Sequence, residues 1–199
     1  MPDRDMRLIA ITPGRGIGID KGALSVACVL AALDVGAEVL VRETAIPLDL
    51  PLDRVILHAR MPGSFSVGSA IHLSAEMDIA SARRRFGGGI TASAHSAKEA
   101  ADKRDAGADA VFLSPIFAPR HGRIGLGTSA LAGFIALGGV TPANMTECRD
   151  AGAVGVAAMD AIFGGEPTPD TVRAAIQSLR AALIRPHHPR DQNSKTASS

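Results

Sequence analysis

The stretch GITASAHSAKEAADKRDAGADAVFL, residues 89–113, contains two short apolar runs separated by a segment of helical character. The runs are Gly89–Ala92 and Ala110–Leu113, and each is nearly continuous in apolar character. Such runs are typical of parallel strands that are covered on both faces. The segment between them predicts a helix over Ala97–Ala106. Residues 89–113 therefore predict one strand–helix–strand unit of a parallel sheet.

The same alternation continues along the chain and predicts one α/β domain, a single (β/α)8 barrel of the TIM type. Apolar runs of strand length occur eight times, which is the number that a closed barrel needs. They are Leu8–Thr12, Ala37–Val41, Arg54–His58, Ala70–Leu73, Gly89–Ala92, Ala110–Leu113, Phe134–Leu137 and Gly155–Ala158. The connection Glu43–Asp53 contains two prolines, which leave no room for a standard crossover helix, and Arg60–Ser69 is also short. We therefore expect a barrel with shortened early connections.

Several helix starts carry their own capping signals. Ser96 followed by Glu99 predicts a capping box, in which each side chain binds the other's backbone amide. Thr141-Pro142 and Thr168-Pro169 each place a capping residue before a proline, whose fixed φ suits the first helical turn. The predicted helices are Gly22–Leu33, Met77–Phe86, Ala97–Ala106, Ala143–Ala151 and Pro169–Leu183.

Composition limits the domain organisation and the partners. With 199 residues the chain fits one domain of roughly 100–200 residues, so we expect the barrel over residues 1–185 and a disordered polar tail over 186–199. Lys plus Arg number 21 and Asp plus Glu 20, and there are six Phe but no Trp or Tyr. A nearly balanced charge and few aromatic rings argue against nucleic acid or a membrane surface as a partner. The composition is compatible with a homo-oligomer.

The two cysteines and the apolar segments indicate a cytoplasmic protein. Cys28 and Cys148 have no metal-binding spacing and are expected to be buried thiols in a reducing compartment. No segment reaches the roughly 18 unbroken apolar residues that span a bilayer. Met1–Arg7 lacks the apolar stretch of a signal peptide.

The most specific candidate site lies at the ends of the last two predicted strands. Gly138 and Gly139 allow the backbone to approach a ligand closely, and the following helix start offers amides to an anion. The eighth strand ends at Met159 and Asp160, which would supply the second half of a phosphate-binding cradle. The alternative is a glycine turn that serves only tight packing.

Two further groups follow the fifth and sixth predicted strands. His95 would project into the barrel mouth, where an imidazole can transfer a proton near neutral pH, or it merely binds the loop beneath it. After Ser114, the residues Arg120, His121 and Arg123 could clamp an anionic substrate, or they belong to a solvated loop.

Taken in order, these segments resemble the thiamine phosphate synthase superfamily, which also contains the thiazole tautomerases. The matching residues are Ser93-Ala94-His95-Ser96, Ala106-Gly107-Ala108-Asp109, Ser114-Pro115-Ile116-Phe117, Leu126-Gly127, Ala136–Pro142 with Asn144, and Ala151–Ala157. Weaker matches upstream are Gly36–Glu43, which includes Arg42, and Ile71-His72-Leu73. The likeness covers most of residues 7–183 and is strong only in the second half.

The resemblance implies a barrel that binds a small phosphorylated heterocycle, a thiazole phosphate, over strands seven and eight. It implies catalytic roles for His95, Ser93 and Arg42. Together with the residue patterns described above, the predicted substrate- and phosphate-binding residues are Gly138, Gly139, Ser114, Arg120, His121, Met159 and Asp160. In the synthase a pyrimidine diphosphate loses its diphosphate with the help of Mg²⁺, and the thiazole nitrogen captures the resulting carbocation.

This chain departs from the family pattern in its acidic and basic residues. His58-Ala59 replaces an asparagine–aspartate pair, so one expected Mg²⁺ carboxylate is absent, and the second could be Glu76 or Asp78. Pro119–Gly122 replaces the diphosphate-binding loop, and Asp160 adds a negative charge where the family has a small residue. A diphosphate needs cations in order to leave.

Three hypotheses follow from the sequence. The first is a synthase-like enzyme of thiamine biosynthesis that uses Mg²⁺. The second is a tautomerase-like enzyme that needs no cofactor and uses His95 as acid and base. The third is a non-catalytic relative that keeps only the phosphate-binding cradle.

Overall fold

Eight parallel strands form one closed barrel in the computed structural model, which describes residues 6–18, 23–42, 50–60, 64–118 and 122–184. Each strand pairs with its neighbours in chain order, and the last pairs with the first. The strands are β1 Arg7–Ile11, β2 Glu38–Val41, β3 Val55–His58, β4 Ala70–Leu73, β5 Gly89–Ala94, β6 Ala110–Leu113, β7 Ile135–Leu137 and β8 Gly155–Ala158. The predicted (β/α)8 barrel is confirmed.

Helices cover the outside of the barrel, and one early connection is short. The helices are α1 Val26–Asp34, α2 Ser64–Val67, α3 Ile79–Arg85, α4 Ala97–Asp105, α5 Met145–Asp150, α6 Asp160–Phe163 and α7 Pro169–Leu183, with a 3-10 turn at Leu52–Arg54. Among the described residues between β3 and β4, the one helix is the four-residue α2, in agreement with the predicted short connection. Residues 43–49 of the other short connection and the predicted tail over 186–199 lie outside the described residues.

The observed capping residues agree with the predicted ones at some helices and differ from them at others. Thr168 caps α7 as predicted, because its Oγ1 accepts a hydrogen bond from the Thr171 amide at 3.2 Å. Thr141 does not cap α5: its own amide donates to Asn144 Oδ1 at 2.8 Å, so this helix begins only at Met145. Likewise, α1 begins at Val26 rather than Gly22, since Ser25 caps it.

The predicted capping box of α4 is half correct. The Glu99 amide donates to Ser96 Oγ at 3.1 Å, as expected. The Glu99 carboxylate, however, accepts from the His95 amide at 2.8 Å instead of from the Ser96 amide. The carboxylate therefore holds the backbone of the candidate acid–base residue in place.

Alternate residues of the strands build two separate apolar cores. The residues that point into the barrel form the inner core: Ile9, Ile11, Leu40, Ile56, Ala110, Phe112, Ile135 and Ala157. Their neighbours along each strand pack outward against the helices. Side chains alternate between the two faces of a strand. Polar residues that occupy inward-facing positions near the carboxyl ends of the strands therefore lie at the barrel mouth.

Both cysteines are buried, as the sequence predicted. Cys28 and Cys148 are free and buried, and burial raises the pKa of the Cys148 thiol to about 12. In the described part of the chain, none of the helices combines the length and the apolar character needed to cross a membrane.

Candidate functional site

A cavity of about 360 Å³ opens at the carboxyl ends of the strands, and residues at or just after the ends of all eight strands line it. Apolar side chains of the inner core, among them Ile11, Leu40 and Phe112, form its floor. Polar residues that follow the strands form its wall. This is the position at which barrels of this type carry their active sites.

The charged residues of the cavity give it an excess of positive charge. Among the described residues, Arg42, Arg60 and Arg123 line it, and Glu76 is the one carboxylate. Glu76 is in an ion pair with Arg60 and also accepts a hydrogen bond from Ser74 Oγ at 3.0 Å. The net charge of these side chains favours an anionic ligand, since guanidinium groups bind carboxylates and phosphates well.

His95 lies on this wall with one ring nitrogen fixed. Its Nδ1 is 3.0 Å from the carbonyl oxygen of Ser114. Because a carbonyl oxygen can only accept, Nδ1 carries the proton and the lone pair of the neutral ring is on Nε2. The two interpretations of the sequence are therefore compatible: His95 binds the loop after β6, and it also lines the cavity.

His72 is a second histidine of the cavity, and it was not among the site residues that the sequence predicted. It is buried, with Nδ1 2.9 Å from Thr91 Oγ1 and Nε2 2.8 Å from Ser93 Oγ. Burial is the main reason that its pKa falls to about 3, with smaller contributions from the positive charge of His58, Arg42 and Lys103. The ring is therefore neutral at physiological pH.

His58 and Arg60, at the end of β3, are two further residues that the sequence analysis did not assign to the site. Burial lowers the pKa of His58, and the nearby charges of Arg60 and Arg42 lower it further. Its Nδ1 accepts from the Arg60 amide at 3.2 Å, so Nε2 carries the proton of the neutral ring. Their positions at the end of an apolar strand and two residues beyond it were the signal that could have identified both residues.

The structure brings together most, but not all, of the predicted site residues. Cavity-lining residues are His95, Arg42, Ser93, Ser114, Gly138, Met159 and Glu76. Gly139, Asp160 and Asp78 are not among them. Asp160 instead begins α6 with an exposed side chain. Arg120 and His121 lie outside the described residues.

The two glycines after β7 are required by packing against the neighbouring loop. A Cβ on Gly138 would lie 2.9 Å from the Pro115 Cα, and one on Gly139 would lie 2.8 Å from the Ala118 amide nitrogen. Both have positive φ, +97° and +74°. The loop after β6 therefore supplies a structural reason for both glycines, and of the two Gly138 also lines the cavity.

Replacing Gly138 with Ala is expected to lower the free energy of unfolding by about 2–5 kcal/mol, from overpacking and the left-handed φ together. Gly107→Ala is the matched control, because Gly107 has a φ of +100° but nothing within 4 Å of its Cβ position. That variant should lose only the conformational part, about 1–2 kcal/mol. Urea denaturation measures both, and equal losses would contradict the steric explanation.

The acidic residues proposed for Mg²⁺ are engaged in other contacts. Asp78 caps α3 by accepting the Ser81 amide at 2.6 Å, which is also why this helix begins at Ile79 rather than Met77. Glu76 is paired with Arg60. No cluster of three or more His, Cys, Asp or Glu side chains suited to a metal ion occurs among the described residues. Glu76 and Asp78 as arranged therefore do not fit a Mg²⁺ site.

Comparison with known proteins identifies the fold and leaves the activity open. No protein-family model matches the chain. No curated protein sequence matches it. Among solved structures it is similar to a thiamine phosphate pyrophosphorylase from Pyrococcus furiosus, with a TM-score of 0.68, 23% identity, and 89% of this chain and 95% of that chain covered.

A thiamine phosphate pyrophosphorylase from Bacteroides thetaiotaomicron is also similar, with a TM-score of 0.65, 18% identity, and 92% of this chain and 100% of that one covered. A 3-hexulose-6-phosphate synthase matches with a TM-score of 0.59, 19% identity, and 88% of this chain and 99% of that one covered. These identities establish the TIM-barrel fold, which hosts many activities, and they do not choose among them.

Proposed function

We propose that this chain is an enzyme that binds a small phosphorylated heterocycle at the barrel mouth and transfers a proton on it. His95 acts as the acid and base. The observation that carries the proposal is the hydrogen bond from His95 Nδ1 to the Ser114 carbonyl oxygen at 3.0 Å. This bond leaves Nε2 as the basic nitrogen of His95, which lines the cavity. A fixed tautomer of this kind is what general base catalysis requires.

The charge of the cavity supports a phosphorylated substrate. Arg42 and Arg123 line the cavity together with the Arg60–Glu76 pair, and a phosphate group is the common metabolic anion that such guanidinium groups bind. Arg42 also contacts Met159 at the end of β8, with its Nη1 3.7 Å from Sδ. The phosphate is therefore proposed to lie on the side of the mouth formed by β2, β8 and Gly138.

Proton transfer on a thiazole carboxylate phosphate is the reaction to test first. Conversion of its non-aromatic tautomer should proceed with EDTA present, and in D₂O the product should carry deuterium at the carbon that receives the proton. Binding of the phosphate ligand without turnover or deuterium incorporation would contradict the catalytic part and leave a binding protein.

Synthesis of thiamine phosphate is the second candidate, favoured by the sequence motifs Ser93-Ala94-His95-Ser96 and Ala136–Pro142. Its test is product formation from the pyrimidine diphosphate and the thiazole phosphate, with and without Mg²⁺. Mg²⁺-dependent product would make this candidate the function. Because Glu76 and Asp78 are engaged elsewhere, we expect no product.

Replacing Arg42 with Ala is expected to weaken the binding of thiazole phosphate about 10- to 100-fold, because charged hydrogen bonds contribute about 1.5–3 kcal/mol. Isothermal titration calorimetry gives the Kd. The control is Arg173→Ala, which removes the same charge from the outer helix α7, where Arg173 pairs with Asp34 and Asp170. Equal effects of both variants would show that only the overall charge of the protein matters.

A further inference from the structure

A chain of hydrogen bonds runs from the cavity into the barrel wall. Ser93 Oγ lies 2.8 Å from His72 Nε2, and His72 Nδ1 lies 2.9 Å from Thr91 Oγ1. Thr91 Oγ1 in turn lies 3.2 Å from the carbonyl oxygen of Ile71. His72 and Thr91 are register partners on the neighbouring strands β4 and β5, so the sheet itself places them side by side.

The Ile71 carbonyl oxygen, at the end of this series of hydrogen bonds, determines which group donates in each of them. The Ile71 carbonyl oxygen can only accept, so Thr91 donates its hydroxyl proton to it. The Thr91 oxygen then accepts from His72, which places the imidazole proton on Nδ1. Nε2 of the neutral ring is consequently an acceptor, and Ser93 donates its hydroxyl proton to Nε2.

The surroundings keep His72 in this state. Its ring packs edge-on against Phe112, with centroids 4.8 Å apart, and the residue is only 5% exposed. Three positive or titratable groups that act on it, His58, Arg42 and Lys103, all disfavour a second proton on the ring. A neutral imidazole with both nitrogens bonded cannot reorient without breaking two hydrogen bonds.

We propose that Ser93 is a fixed hydrogen-bond acceptor in the cavity, held by the positioning residues His72 and Thr91, and that it selects ligands which present an N–H or O–H group to it. The hydroxyl proton is committed to His72, so the lone pairs of Oγ are what Ser93 offers to the cavity that it lines. This inference rests on the proposed function in its choice of a phosphorylated heterocycle, and it specifies that the heterocycle bears a donor such as an amino group.

The same arrangement assigns Ser93 a binding role rather than that of a nucleophile. A serine nucleophile needs a base that can take its proton near neutral pH. His72 is too weak a base for that step, and its other nitrogen is bound to a hydroxyl group instead of a carboxylate. Proton transfer is therefore left to His95, and Ser93 orients the substrate.

The polarity of Ser93 can be tested on the unliganded protein by nitrogen NMR of histidine side chains labelled with ¹⁵N. The expected result is a neutral His72 with its proton on Nδ1, whose Nε2 signal moves in Ser93→Ala and thereby assigns the residue. A proton on Nε2 would overturn the proposal, because Ser93 would then accept from His72 and be free to donate to a ligand.

Ligand selection can be tested with two probes that differ in one group, 2-aminothiazolyl ethyl phosphate and 2-methylthiazolyl ethyl phosphate. The two groups are of similar size, and only the amino group donates. The chain should bind the amino probe about tenfold more tightly, as one net hydrogen bond implies, and Ser93→Ala should abolish this preference. Equal binding of the two probes by the unmodified chain would overturn the proposal.

Thr91 provides a matched pair of variants for the positioning role. Thr91→Val removes the hydroxyl group at nearly constant shape, whereas Thr91→Ser retains it. The tenfold preference should be lost in the first variant and kept in the second, although residue 91 is separated from the cavity by His72. Binding of neither probe would contradict the proposed phosphorylated ligand, and the tautomer of His72 would still decide the polarity of Ser93.

Discussion

Replacing His95 with Asn is expected to lower kcat for the tautomerisation about 10²- to 10⁴-fold, the usual contribution of a general acid or base. The Asn side chain can place an N–H group where Nδ1 now donates to the Ser114 carbonyl oxygen, so the contact to the loop after β6 is retained. What the variant loses is the basic Nε2. Steady-state kinetics on the thiazole carboxylate phosphate measures the effect.

Ligand affinity distinguishes this chemical effect from a structural one. The Kd for the phosphate ligand should change less than about threefold, because the positive charges of the cavity are untouched. The free energy of unfolding should also be nearly unchanged, since the Glu99 carboxylate still holds the backbone of residue 95. A loss in kcat below tenfold would exclude His95 as the acid–base residue.

The barrel could be predicted from the sequence because its signals are local. Three nearly continuous apolar runs form strands with the predicted bounds: Ala70–Leu73, Ala110–Leu113 and Gly155–Ala158. Pro169–Leu183 was also predicted with its bounds, because Thr168 and Pro169 mark its first turn. Apolar runs depend on neighbours in the sequence, and so do capping residues, which the fold keeps at α7 but not at α5.

The polar network of the site depends on residues that are distant in the sequence. His72 lies within an apolar run and is read as part of a strand, and its partners Thr91 and Ser93 become adjacent only through the register of β4 and β5. The side chain of Glu99 likewise binds the His95 amide, a choice that the local capping pattern does not specify. The register of strand pairing and the contacts between loops therefore determine which polar side chains meet in the site. Neither can be predicted from one segment of the sequence.

Acid is expected to destabilise the folded chain strongly because of His72. In the unfolded chain an imidazole takes up its proton near pH 6.5, whereas in the folded barrel burial lowers the pKa of His72 to about 3. Between these values the unfolded state binds more protons, so the free energy of unfolding falls as the pH falls. The loss approaches about 1.4 kcal/mol per pH unit, and it amounts to on the order of 4 kcal/mol between pH 6.5 and pH 3.

His72→Gln isolates this contribution. A glutamine can donate to Thr91 and accept from Ser93, the two contacts that His72 makes, but it does not titrate. Urea denaturation of both proteins between pH 4 and pH 7.5 should show the unmodified chain losing stability more steeply below pH 6.5. Carboxylates contribute equally to both curves, so parallel curves would show that His72 does not stay neutral. If the variant does not fold, the ¹⁵N signals of His72 decide the question, since a ring that becomes protonated near pH 6.5 in the folded chain would contradict the expected loss.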